Sequence, residues 1–113
     1  MSSTSVKDEL IKSVGFLPKD AISWLYAARG YYKMKQYSHV IEAVQHCLRN
    51  EQTLREGQHL LAFSLLHTGQ HELAALEFRK SILLGNDTDW QVLVGLCLSD
   101  DSIKLGALKN RRV

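Results

Sequence analysis

Apolar residues along this chain recur at three- and four-residue spacing, the period of one face of an α-helix, and no stretch alternates as a strand does. Val6, Leu10 and Val14 share one face of a helix predicted over residues 6–14. Ser5 is placed to cap it, Asp8 and Glu9 lie in the first turn where acids suit the helix dipole, and Gly15 followed by Pro18 stops it. Asp20 caps a second helix predicted over 21–33, with Trp24, Ala27, Ala28 and Tyr31 as its stripe. After a turn at Lys35-Gln36-Tyr37, a third is predicted over 38–49, with Val40, Ile41, Val44, Cys47 and Leu48 inward. A polar connection at 50–53 leads to a fourth over 54–67, carrying Leu61, Ala62, Leu65 and Leu66. Gly69 makes the next turn, and a fifth helix over 72–83 carries Ala74, Ala75, Phe78, Ser81 and Ile82. Gly85 suits the left-handed residue that ends a helix, and Asn86-Asp87-Thr88 offers caps for a sixth over 89–98. A short seventh is predicted over 102–109, ahead of a basic tail at 110–113. The pattern predicts an all-α protein.

The stripes also repeat. Tyr31, Val40, Val44 and Cys47 return 34 residues later as Leu65, Ala74, Phe78 and Ser81, and Ala28 returns as Ala62. A 34-residue period with large and small residues in fixed slots marks a stack of helical hairpins, each burying its faces only against its neighbours. Small residues at Ala28, Ala62 and Ala74 let one helix approach where its neighbour presents a large side chain.

On these residues the chain resembles the tetratricopeptide repeat family over roughly residues 6–98. Trp24-x2-Ala27-Ala28-x2-Tyr31 followed by Val40, Val44 and Cys47 fits one repeat over 21–54. Leu61-Ala62-x2-Leu65, Gly69 and Ala74-x3-Phe78-x2-Ser81 fit a second over 55–88. Departures are Lys35 where the family usually has Gly, Gln58 where it has a bulky residue, and Asn86 where it has Pro. The resemblance implies an α-solenoid of about two full repeats flanked by half repeats. The domain reading is a disordered lead-in over 1–5, a helical domain over 6–98, and a capping helix with basic tail over 99–113.

The same resemblance implies a concave groove lined by the first helix of each repeat. Its slots hold Leu25, Arg29, Tyr32 and Lys33, then His59, Phe63, Leu66 and His67 with Glu56, then Trp90 and Leu93 with Cys97. Aromatic and aliphatic side chains with scattered positive charge suit a peptide or amphipathic helix with apolar anchors. The family's clamp on a C-terminal carboxylate needs Lys, Arg and Asn in slots that here hold Leu25, Arg29, Leu60, Trp90 and Val94, so binding of chaperone tails is not expected. The expected function is therefore protein–protein interaction, as an adaptor or complex subunit binding a segment of another protein. The alternatives are a self-associating homodimer and a small chaperone shielding a client helix.

Composition narrows the field. The 113 residues are 45% hydrophobic and 23% charged, ordinary values for one globular domain. A net charge of +2 gives no electrostatic case for nucleic acid. No run approaches the roughly 18 apolar residues of a membrane span, so no membrane insertion is expected. Two cysteines and no leader-type N-terminus predict a reducing, cytoplasmic setting. Five histidines raise the question of a metal, but His67 and His71 straddle a turn and no Cys lies nearby in sequence to complete a set, so no metal or other cofactor is expected. No phosphate-cradling glycine motif, nucleophile with base or paired carboxylate is present, so no enzymatic activity is expected. Cys47 occupies a small buried slot and reads as core.

Overall fold

The computed structural model describes residues 5–100 and Ile103, and among them every regular element is helical. The order is α1 (Val6–Ser13), α2 (Ala21–Lys33), α3 (Tyr37–Val44), α4 (Glu51–His67), α5 (His71–Leu83) and α6 (Asp89–Ser99). The seventh helix and the basic tail expected over 102–113 lie outside the described residues, apart from Ile103, which is buried. Residues 1–4 of the expected lead-in also lie outside them, whereas Ser5 caps α1, its hydroxyl accepting from the Asp8 N–H at 3.2 Å.

Helices α2 and α3 form one hairpin and α4 and α5 a second, with α3 packed on α4 and α2 also on α4. Each hairpin turns through a residue with positive φ: Lys35 at 60° in the first and Gly69 at 83° in the second. These two residues stand 34 apart, so the turn follows the sequence period even where the side chain does not favour it. One core runs through the stack. Ala28, Val40, Val44, Cys47, Ala62, Ala74, Phe78 and Ser81, all in repeating slots, are fully buried, and in the remaining slot Leu65 is buried and Tyr31 half-buried.

The slots that depart from the family pattern are filled by other means. Trp24 stacks flat on His46 at 3.9 Å between ring centroids, and burial there holds the His46 imidazole below its ordinary pKa. Its counterpart Gln58 is buried and donates its amide to the Glu77 carbonyl at 3.1 Å and the Glu77 carboxylate at 2.6 Å, pinning α4 to α5 by hydrogen bonds rather than by an aromatic ring. Asn86 donates to the Arg55 carbonyl at 2.9 Å and to Ser81 Oγ at 2.8 Å, closing the turn before α6.

The expected boundary between the third and fourth helices is shifted. α3 ends at Val44, and 45–49 continue as hydrogen-bonded turns in which Cys47 N–H reaches Val44 O at 2.8 Å. Thr53 Oγ1, almost fully buried, donates to the Cys47 carbonyl at 2.7 Å, an oxygen that a continued helix would have used itself. Asn50 then caps α4 by accepting the Gln52 N–H at 2.8 Å, so α4 begins at Glu51, where a connection was expected. Gly57 lets this turn sit close, because a Cβ there would meet Cys47 Cβ at 3.1 Å.

α6 also departs from the expected third repeat. It buries Asp89, Leu93 and Leu96, while Val94, Gly95 and Leu98 are exposed. Their counterparts 34 residues earlier, Leu60, Leu61 and Ser64 on α4, are buried. α6 therefore presents a different face to the body of the protein than α4 does.

Candidate functional site

Side chains of α2, α4 and the start of α6 meet in two groups that include Arg29, His59 and Phe63, and Tyr32 and His67, of the expected groove residues. The central group is polar. Arg29 from α2 makes a two-pronged ion pair with Glu56 from α4, and its guanidinium lies 4.9 Å from the Tyr26 ring centroid. The pairing holds the Glu56 carboxyl below its usual value and raises Arg29 above its own. One turn further along α4, His59 Nδ1 lies 2.9 and 3.0 Å from the two oxygens of the Asp89 carboxylate at the start of α6.

Asp89 is 1% exposed and also accepts a 2.6 Å hydrogen bond from buried Ser81 Oγ. A buried carboxylate with two partners fixes the orientation of the His59 ring, which remains partly open to solvent. Around it, Gln52, Arg55, Glu56, Asn86 and Thr88 line a polar recess of about 480 Å³. Phe63 extends this group, tilted against His59 at 4.8 Å and edge-on to core Phe78 at 4.9 Å.

The second group is aromatic and lies at the hairpin ends. His67 stacks on Tyr37 at 4.3 Å, and Tyr32 meets both rings edge-on at 5.5 and 6.3 Å. Partial burial raises the Tyr32 hydroxyl pKa, so that ring stays neutral. Lys33 is exposed beside it, and half-buried Leu66 packs on the core beneath.

Three expected contact residues lie elsewhere. Leu25 and Leu93 are only 6% and 7% exposed and belong to the core, because first-helix positions in so thin a stack also face the neighbouring helix. Trp90 is 55% exposed on the outward side of α6. Tyr37, Asp89 and Ser81 join the site although the sequence marked Tyr37 as turn, Asp89 as the first residue of a helix and Ser81 as core. The legible signal for Tyr37 was residue type: all four tyrosines of the chain fall within residues 26–37. Nothing in the spacing of Asp89 and Ser81 announced their partnership with His59.

Among the described residues, no three His, Cys, Asp or Glu side chains converge as a metal site. Nor is any helix there long and apolar enough to cross a membrane. Cys47 and Cys97 are free thiols, and burial pushes the Cys47 thiol up to about 11. No family model matches the chain, nor does any curated protein or solved structure.

Proposed function

We propose that this chain is a tetratricopeptide-type interaction module that holds a peptide or amphipathic helix of another protein across the face formed by α2, α4 and the start of α6. The observation that carries the reading is the fixed polar and aromatic surface there. Arg29 and His59 are each oriented by a carboxylate, and Tyr32 and His67 are braced by Tyr37. Side chains held in place before binding lose little entropy on contact. Aromatic and arginine residues are the types that dominate binding energy in protein interfaces. In this reading Leu25 and Leu93 form the floor, and Arg29, Tyr32, Lys33, His59, Phe63, Leu66 and His67 form the contact surface. The role is that of an adaptor or complex subunit without catalysis or cofactor, acting in the cytoplasm, where its two thiols stay reduced.

Site-specific photocrosslinking tests it. A benzophenone side chain at position 67, on the proposed surface, is expected to capture one partner segment, whereas the same group at Leu83, which is 86% exposed at the end of α5, is not. Tyr32→Ala and Lys33→Glu should then weaken binding to that segment by tenfold or more with the circular dichroism unchanged. Equal capture at both positions, or unchanged affinity in both variants, rules the surface out.

A further inference from the structure

Two apolar faces of this molecule lie outside the proposed binding surface. One is a cleft between α1 and α2, formed by two adjoining recesses of about 430 and 550 Å³ that share Leu10, Val14 and Ala27. Exposed Phe16 and Tyr26 flank one end and exposed Met34 the other. The other face is the outward stripe of α6, where Trp90, Val94 and Leu98 are spaced four apart and are 55%, 46% and 75% exposed. Of the 11 residues of α6 only Asp89, Gln91 and Ser99 are polar, and Asp89 is buried. A helix apolar on nearly every side is ordinarily covered on every side.

The repeat period shows what the cleft is shaped to take. The α2 side of its wall is Ser23, Tyr26, Ala27, Gly30, Tyr31 and Met34, none of them buried. Of the residues 34 positions later, Gly57, Leu60, Leu61, Ser64 and Leu65 on α4 are buried, because α2 and α3 pack over α4, and only Thr68, at the end of α4, is exposed. The cleft is thus the place where a helix would lie on α2 as α2 lies on α4. The exposed stripe of α6 spans about 12 Å at 1.5 Å per residue, and the cleft wall from Ser23 to Met34 about 16 Å.

α2 and α4 are separated by one intervening helix and so run the same way, and a helix taking the equivalent place on α2 runs parallel to it. That direction sets the Trp90 end of α6 against Phe16 and Leu17. It also brings exposed Asp87, just ahead of α6, towards exposed Lys19 on the cleft rim.

We infer that the cleft between α1 and α2 receives α6 of a second copy of this chain, giving a head-to-tail assembly. Such a contact is heterologous: each copy offers a different surface at each end, so association continues past the dimer unless a ring closes. The concave residues take no part in it, so the assembly would array the binding faces side by side.

The test uses the purified full chain. Light scattering across a concentration series should give an average mass that rises past twice the 12.8 kDa of the chain without a plateau at the dimer, or that levels at a closed ring of three or more. Emission from exposed Trp90 should shift to the blue over the same range, and Trp90→Phe should abolish the shift because Trp24 is already buried.

Two variants at exposed positions decide the geometry: Val14→Glu breaks the cleft and Val94→Glu breaks the stripe, with Met34→Glu and Leu98→Glu as replacements should either fail to fold. Each alone should be monomeric, and their mixture should form a one-to-one heterodimer, because the intact stripe of the first fits the intact cleft of the second. A wild type that is monomeric throughout overturns the inference. So does a dimer by Val94→Glu alone, which means cleft pairs with cleft, or by Val14→Glu alone, which means stripe pairs with stripe. Lys19→Asp should weaken the mixed dimer a few-fold and Asp87→Lys in the other partner should restore it; no restoration rejects the parallel orientation.

Discussion

Asp89 is nearly inaccessible to water, yet it is the residue on which the polar group converges, holding Ser81 at 2.6 Å and His59 at 2.9 Å. A buried carboxylate is tolerated only when partners offset its lost hydration. Removing it strands a buried hydroxyl and frees the start of α6 from α4 and α5. Asp89→Ala is therefore expected to lower the unfolding free energy by about 2–3 kcal/mol, as the loss of a buried charged hydrogen-bond partner does. His59→Ala should cost about 1 kcal/mol or less, because its ring is partly exposed and water can replace it at the carboxylate. Urea denaturation followed by circular dichroism checks the order: equal losses would mean that the His59 contact, and not the rest of the buried carboxylate's network, ties α6 down. At this scale the sequence was legible where a residue repeats. The groove slots implied by the family resemblance named Arg29, His59 and Phe63 together, and in the structure Arg29 meets Glu56 one turn from His59, and His59 meets Phe63. The sequence could not tell Leu25 from Arg29 in burial, since both fill groove slots and only the thickness of the stack decides which is covered.

At the scale of elements, five of the six helices follow from capping and periodicity to within about three residues at each end. α3 is the exception, and its cause is a side chain six residues away: Thr53 takes the Cys47 carbonyl, and the apolar period of 40–48 carries on through a turn that is no longer an α-helix. Periodicity records which residues face inward, and Cys47 and Leu48 do so whether or not the backbone stays helical. The hairpin turns offer a cleaner case. Lys35 adopts φ of 60° where its counterpart Gly69 adopts 83°. A side chain with a Cβ in the left-handed region costs about 1–2 kcal/mol, partly offset by the greater freedom that glycine has in the unfolded chain. Lys35→Gly should thus raise stability by about 0.5–1 kcal/mol and Gly69→Ala should lower it by about 1 kcal/mol. Thermal unfolding of the two variants checks the signs, and a destabilised Lys35→Gly would mean that the Lys35 side chain contributes more than its backbone strain costs.

At the scale of the molecule, the main helix contacts among the described residues join near neighbours in the chain: α2 with α3 and α4, α3 with α4, α4 with α5, α5 with α6, and α1 lightly with α3. The radius of gyration is 15.2 Å, against roughly 13 Å for a globule of this length. The period made that neighbour-to-neighbour order legible in the sequence. The turn of α6 onto a different face was not, since the pairings found there, Asp89 with Ser81 and His59 and Arg79 with the Ile103 carbonyl at 3.1 Å, follow no spacing in the sequence. Such an arrangement does not share its stability evenly. α4 is flanked by α2, α3 and α5, whereas α1 rests on Val6, Leu10, a 3.2 Å hydrogen bond from the Val6 N–H to Glu42, and Glu9 near His39. Amides of α1 should therefore exchange with solvent at least about tenfold faster than those of α4, opening locally while the centre stays folded. Hydrogen–deuterium exchange read by mass spectrometry measures this, and equal protection would mean that the chain opens as one unit. The same experiment at rising protein concentration separates the molecule from its assembly: a second copy seated between α1 and α2 slows exchange in α1 and leaves α4 unchanged, because α4 is already covered by its own chain.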